Sequence, residues 1–404
     1  MKKNVSRRGF LKFASAAGIG SVIGTKVFAE PNDPNGQKEQ SAQPLELPKR
    51  KLGKTGVQIS SLAVGLAFDL IDNQIIMRKA VDWGATCWDT SHIYGNGNAE
   101  LGIGKFFGGN PDVRKKIFLI TKASGAKNME DVEKQLQTSF QRMKTDYIDL
   151  YFGVHGLDNP ARLNDEMKKW VEKAKERKVI KYFGFSTHAN IADCLMGASK
   201  LDWIDAVMPS YNFRLMQDKK LTDAVQACYD AGVGVIAMKT QGKEISPNEA
   251  DKKLIEHFSA KGFTEGQAKL KFVLEDKRIA AGCVRGDIVH LKQNVAAVLD
   301  KKELTQLDKE VFKNYAAETC SGYCAGCANI CESQVADVPV RDVMRSLMYH
   351  NNYGDTQMAK QTFAQIPADV RSKLLTADYR LAEQRCPQHM PIARLVREAV
   401  EKLA

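Results

Sequence analysis

No glycine-rich G-x-G-x-x-G turn follows the first apolar run of this 404-residue chain. The phosphate-binding loop that a doubly wound sheet would place there is therefore missing. No run of Lys and Arg interleaved with aromatics occurs in the body, which argues against nucleic acid as a partner despite a net charge of +11. Residues 1–29 contain no acid, but they hold Lys2, Lys3, Arg7, Arg8, Lys12 and Lys26, and without these six the net charge is +5. The apolar stretch Phe13–Ile23 is too short for a comfortable membrane span. Cysteine, by contrast, is plentiful. Of nine, Cys87, Cys194, Cys228 and Cys283 sit in apolar or helical contexts and read as small buried hydrophobes. The other five crowd beyond residue 319.

The start reads as a targeting segment. Ser6-Arg7-Arg8-Gly9-Phe10-Leu11-Lys12 is a twin-arginine pattern, and Val27-Phe28-Ala29 reads as a small-residue cleavage site. This predicts a signal peptide over 1–29, recognition by the twin-arginine export machinery, and a periplasmic or cell-envelope location in a bacterium. An uncleaved anchor is the alternative. Residues 30–46, rich in Pro, Asn and Gln, read as a linker. Lys49 to Ser60 reads as a hairpin turning at Gly53-Lys54-Thr55-Gly56. Eight short apolar runs follow: Leu62–Gly65, Ala85–Trp88, Ile117–Thr121, Ile148–Val154, Tyr182–Phe185, Ala206–Pro209, Val233–Met238 and Ala280–Val284. Helical patterns separate them, among them Asn128–Arg142 and Asn164–Lys178. Eight strand–helix alternations predict an α/β fold, a (β/α)8 TIM barrel over residues 47–312, with a doubly wound sheet as the runner-up. Gly102-x-Gly104 falls inside a helical pattern and reads as packing.

Three successive strand ends carry chemistry: Asp89 and Tyr94 after the second run, Lys122 after the third, His155 after the fourth. On a parallel α/β scaffold, reactive groups sit where strands end. With Arg50-Lys51-Leu52-Gly53-Lys54-Thr55-Gly56, Gly184-Phe185-Ser186-Thr187-His188, Tyr211-Asn212 and Gly234-Val235-Ile236-Ala237-Met238-Lys239, they form an ordered set that resembles the aldo/keto reductase family. The resemblance implies a catalytic tetrad of Asp89, Tyr94, Lys122 and His155. Tyr94 would be the general acid on a carbonyl oxygen, and Lys122, held by Asp89, would lower its pKa. His155 would orient the carbonyl. Hydride has to come from a cofactor, by resemblance NADP or NAD. Tyr211 would stack on the nicotinamide, Ser186 hold its carboxamide, Lys239 and the loop after it meet the pyrophosphate, and Asn294 meet the adenine end. Arg285 is the obvious candidate for a 2′-phosphate.

Beyond about residue 313 the character changes. Cys320-x3-Cys324-x2-Cys327-x3-Cys331 is followed, much later, by Cys386-Pro387. This resembles a two-cluster ferredoxin module, residues 313–404, that keeps ligands for one [4Fe-4S] cluster. Crossed ligation predicts Cys320, Cys324, Cys327 and Cys386, leaving Cys331 spare; ligation by Cys331 in place of Cys386 is the alternative. Structural zinc ranks below the cluster because zinc sites pair C-x2-C knuckles across a longer gap. Disulfides rank lower still, since five thiols leave one over. The combined expectation is an exported oxidoreductase acting on a small carbonyl or sugar-like substrate. Its nicotinamide would stay bound, and its cluster would relay electrons to a membrane partner. The competing expectation is a barrel kept as scaffold in a periplasmic binding or redox-partner protein.

Overall fold

The computed structural model describes residues 45–241, 248–335 and 337–404. The expected signal peptide and nearly all of the linker lie outside the described residues. The core is a closed barrel of eight parallel strands in the order β10-β3-β4-β5-β6-β7-β8-β9. The strands are β3 (Leu62–Gly65), β4 (Cys87–Asp89), β5 (Phe118–Lys122), β6 (Ile148–His155), β7 (Ile180–Thr187), β8 (Ala206–Pro209), β9 (Gly234–Ala237) and β10 (Ile279–Arg285). They read as continuous apolar runs because both faces are buried. Alternate residues separate cleanly. Ala63, Cys87, Ile120, Leu150, Phe152, Ala206 and Ile236 fill the barrel interior. Val64, Trp88, Leu119, Tyr151, Val207 and Val235 face the layer beneath the helices.

The predicted hairpin, β1 (Lys49–Lys51) and β2 (Gln58–Ser60), is antiparallel. Its Leu52 and Ile59 join the interior cluster. Arg50 donates to the carbonyls of Leu274 at 2.5 Å and Ile279 at 2.8 Å, at the entry to β10, so the hairpin closes the bottom of the barrel. Gly102 and Gly104 lie in helix Asn98–Gly109. A Cβ on Gly104 would stand 2.0 Å from the Arg142 carbonyl oxygen, so only glycine lets the two helices approach.

The predicted boundary at 312/313 falls inside one helix, Gln306–Glu318. That helix belongs with the barrel, since Phe312 and Tyr315 pack on Phe213 and Phe258. A separate core then begins, built from Val335, Val343, Leu347, Phe363, Leu374, Ile392, Val396 and Leu403 among others. This second core is helical throughout, with helices Val340–Tyr353 and Ile392–Leu403 as its longer members. It is fastened to the barrel at the mouth. Asn190 N–H donates to the Gly326 carbonyl at 2.8 Å, Asn212 Nδ2 to Tyr323 Oη at 2.8 Å, and Arg341 pairs with Asp158 at 2.8 Å. Among the described residues no helix is long and apolar enough to cross a membrane.

Candidate active site

The barrel places the residues that end β4, β5 and β6 side by side at one rim. Lys122 Nζ donates to Asp89 Oδ1 at 2.5 Å and to the Thr90 carbonyl at 2.7 Å. Lys122 and Asp89 are both buried. Removing either partner would strand the other's charge out of water. Tyr94 follows in a turn where Gly95 has φ 56° and Asn96 φ 55°. Its ring lies 5.1 Å from Lys122 Nζ and meets His155 edge-on at 5.8 Å. His155 Nδ1 is engaged by Ser124 Oγ at 2.7 Å, with Ser91 Oγ at 3.4 Å. Those hydroxyls fix the ring and leave Nε2 for a ligand. The four tetrad residues are thus brought together.

The electrostatics differ from the expectation in one respect. Burial pushes the Tyr94 phenol well up, and Asp89 adds to it, while Arg345 opposes the rise, so the expected lowering is not seen. A phenol raised in this way stays protonated but is a weaker acid than one matched to neutral pH. Burial, with Lys122 and Arg345 nearby, pushes His155 well down, so its imidazole is neutral at physiological pH.

The residues expected around a cofactor divide. Ser186, at the end of β7, is buried, and its Oγ accepts from Gly156 N–H at 3.2 Å. Lys239 stands at the mouth after β9 with φ 59°, its Nζ over the rings of Tyr349 at 4.3 Å and Tyr353 at 4.8 Å. The glycine-containing loop expected to follow it lies largely outside the described residues. Asn294 is buried; its Oδ1 accepts from Gln241 Nε2 at 2.7 Å, while its Nδ2 has no partner among the described residues. Tyr211 is the exception. It is fully buried in the layer between strands and helices, its hydroxyl on Asp276 Oδ2 at 3.0 Å, so it presents no face for a nicotinamide to stack on. Its neighbour Ser210 bonds His188 at 2.9 Å at the mouth, and the next side chain in an extended segment turns the opposite way. Arg285, the candidate for a 2′-phosphate, pairs with Asp287 at 2.9 Å.

Sequence reasoning missed Arg345, Tyr349 and Tyr353. They lie on helix Val340–Tyr353 of the second core, one turn apart, and so share a face. That spacing was visible; what the face covers was not. It covers the barrel mouth. Arg345 and Lys239 both lower the Tyr349 phenol by their charge, and Arg345 is felt at Tyr94, His155 and His188. A cavity of about 400 Å³ lies between barrel and second core, lined by Gly156, His188, Ser210, Tyr323, Cys324 and Arg345 among others.

Among the described residues no three His, Cys, Asp or Glu side chains stand at the spacing of a metal-ion site. Cys324, Cys327, Cys331 and Cys386 nevertheless line one small cavity, closed by Val340, Met344, Met390 and Ile392. Burial raises the thiols of Cys324 and Cys331 to about 12, and the neighbouring thiols add to the rise. Cys320 does not line this cavity. It opens a short turn, Cys320–Gly322, that delivers Tyr323 to the mouth, and all nine cysteines are free. The crossed set with Cys320 in and Cys331 out is therefore not the set that converges.

A parallel eight-stranded barrel with Asp, Tyr, Lys and His at adjoining strand ends defines a class of oxidoreductase scaffold. Residues 66–310 match the aldo/keto reductase family model, and the chain belongs to that family. An aldo-keto reductase of Schizosaccharomyces pombe, whose name carries NADP(+), is 31% identical over 42% of this chain and 52% of its own length. An uncharacterized oxidoreductase of Bacillus subtilis, YrpG, is 26% identical over 67% of this chain and 98% of its own. Among solved structures, the thermostable aldo-keto reductase Tm1743, crystallised with the inhibitor epalrestat, superposes with a TM-score of 0.55 at 22% identity, covering 67% of this chain and all of the other. The holo form of a Bacillus halodurans aldo-keto reductase, AKR11C1, gives 0.54 at 21% identity, covering 67% of this chain and 96% of its own. These two likenesses concern the fold.

Proposed function

We propose that the chain is a nicotinamide-dependent oxidoreductase interconverting a small carbonyl, or a sugar-like substrate, and its alcohol. The observation that carries this is the buried Lys122–Asp89 pair beside Tyr94 and His155. Bound NADP or NAD would supply or accept the hydride. Tyr94 moves the proton at the substrate oxygen, and His155, neutral and oriented by Ser124, hydrogen-bonds the same oxygen. Ser186, Lys239 and Asn294 are the residues that would hold the dinucleotide; the unpartnered Asn294 amide supports an adenine contact there. Asp287, beside Arg285, opposes a 2′-phosphate, so the reading covers NAD as much as NADP. The test is turnover of nicotinamide with a panel of carbonyls, and its loss in Tyr94→Phe. Intact turnover in that variant would sink the reading.

The four convergent thiols support a [4Fe-4S] group held by Cys324, Cys327, Cys331 and Cys386 in an apolar shell. Their cavity is about 20 Å³, so holding a cluster would require these four side chains to stand further apart than they do here. Cys324 lines this cavity and the mouth cavity alike, which supports electron relay between cluster and mouth and onward to a membrane partner. The twin-arginine start supports export of the folded, loaded protein to the periplasm or cell envelope. Iron and acid-labile sulfide assays on anaerobically purified protein decide the cluster: about four irons per chain support it, and zinc or no metal makes the module structural. The alternative is a scaffold or redox-partner role, which unchanged physiological activity in Tyr94→Phe would favour.

A further inference from the structure

We propose that Arg345 selects substrates that carry a carboxylate, its guanidinium reaching from the second core to the rim where Tyr94 and His155 stand. This rests on the reading of the tetrad given above and names the substrate class for it. Four observations converge. A Cβ built on Gly156, the residue after His155, would lie 4.0 Å from Arg345 Nη1, so the guanidinium stands beside the end of β6. Arg345 lines the mouth cavity with Gly156, His188 and Ser210, and about 400 Å³ suits a small organic acid. Its Nε is buried without a hydrogen-bond partner, an arrangement that costs stability unless a ligand answers it. No carboxylate pairs with it among the described residues; Asp342, the nearest acid on its own helix, is held by Arg341 at 3.5 Å.

Arg345 lies near the phenol of Tyr349, over whose ring Lys239 Nζ stands at 4.3 Å. Two cations thus converge on one weak acid, with the second face of the site open to the cavity. The planar fork of a guanidinium matches the two oxygens of a carboxylate, and a lysine would not. An acid bound there would lie beside Gly156, next in the chain to His155; the cavity's own lining holds neither Tyr94 nor His155. The Lys122 charge, matched by Asp89, does not compete for the acid.

The test compares pairs that differ in the carboxylate alone. Oxamate and oxamide are unreactive and are titrated calorimetrically into the purified full-length protein. Pyruvate and pyruvamide are compared as substrates. Oxamate is expected to bind at least about 10-fold more tightly than oxamide, and Arg345→Gln to abolish that difference. The ratio of kcat/KM for pyruvate over pyruvamide is expected to fall about 10- to 100-fold in Arg345→Gln and to recover in part in Arg345→Lys. Equal losses on both substrates, or oxamate binding unchanged by Arg345→Gln, would overturn the proposal. If no carbonyl is turned over, the proposed function fails, and the oxamate titration still decides Arg345. Thermal melts of both variants show whether the fold is retained; if Arg345→Gln does not fold, the Arg345→Lys ratio decides.

Discussion

The barrel mouth and the thiol cavity are both gatherings of reactive side chains, but they are assembled differently. At the mouth, Asp89, Lys122 and His155 end consecutive strands, and barrel closure alone makes consecutive strand ends neighbours. Each group is then fixed by near partners: Lys122 by Asp89 and Thr90, His155 by Ser124 and Ser91. In the second core, three thiols come from one short stretch and the fourth from the far side of four intervening helices. Their convergence depends on how short helices pack, in a shell of apolar side chains. The lesson is that strand order is enough to assemble the first site, whereas the second needs its tertiary packing.

That contrast can be broken at either end. The largest effect is expected at the mouth. Tyr94→Phe should lower kcat for carbonyl reduction by about 10²- to 10⁴-fold with a smaller change in KM, measured by steady-state kinetics. Lys122→Met should lose activity similarly and also lower Tm, because Asp89 is left charged and buried without its partner. In the second core, Cys331→Ser or Cys386→Ser should abolish iron binding, whereas Cys320→Ser should retain it. Iron lost in Cys320→Ser but kept in Cys331→Ser would restore the crossed set. Smaller, and shared by both regions, is Gly326→Ala. Gly326 lies between Cys324 and Cys327 with φ 76°, and a Cβ there would stand 2.1 Å from the His188 carbonyl oxygen at the mouth. A loss of about 1–3 kcal/mol is expected, read from chemical denaturation. A variant as stable as the parent would show that the two regions are not held together at this point.

The barrel was legible because its strands are short apolar runs between amphipathic helices, and the tetrad because strand ends are where such runs stop. Tyr211 was misplaced for a reason of parity. An extended segment alternates faces, so a residue one step from a mouth-facing Ser210 points into the helix layer, where Asp276 takes its hydroxyl. The thiol set was misread because a spacing of x3 and x2 does not say which end of the run turns inward. Here the first cysteine is carried off by the turn that sends Tyr323 to Asn212. The Arg345, Tyr349, Tyr353 face had a readable helical period, but its target, Lys239 among others, is more than 100 residues away in sequence and set by docking of one core on the other.

The smallest effect tests that docking directly. Burial alone would raise the Tyr349 phenol, but Lys239 and Arg345 outweigh it and bring it down to about 7. An unfolded tyrosine titrates near about 10. A folded value below the unfolded one means that the unfolded chain holds the extra proton between them. The contribution to stability is therefore complete above about pH 10, shrinks as the pH falls toward 7, and is gone below it. Of the eleven tyrosines, one should then ionise near neutrality. Ultraviolet titration of the native protein should show a single tyrosinate step between about pH 6 and pH 8. Tyr349→Phe should erase the step, and Lys239→Met or Arg345→Gln should move it upward, since each removes one of the two cations. A flat absorbance across that range would mean that helix 340–353 does not set Tyr349 between Lys239 and Arg345 in solution. The mouth would then be the barrel's alone.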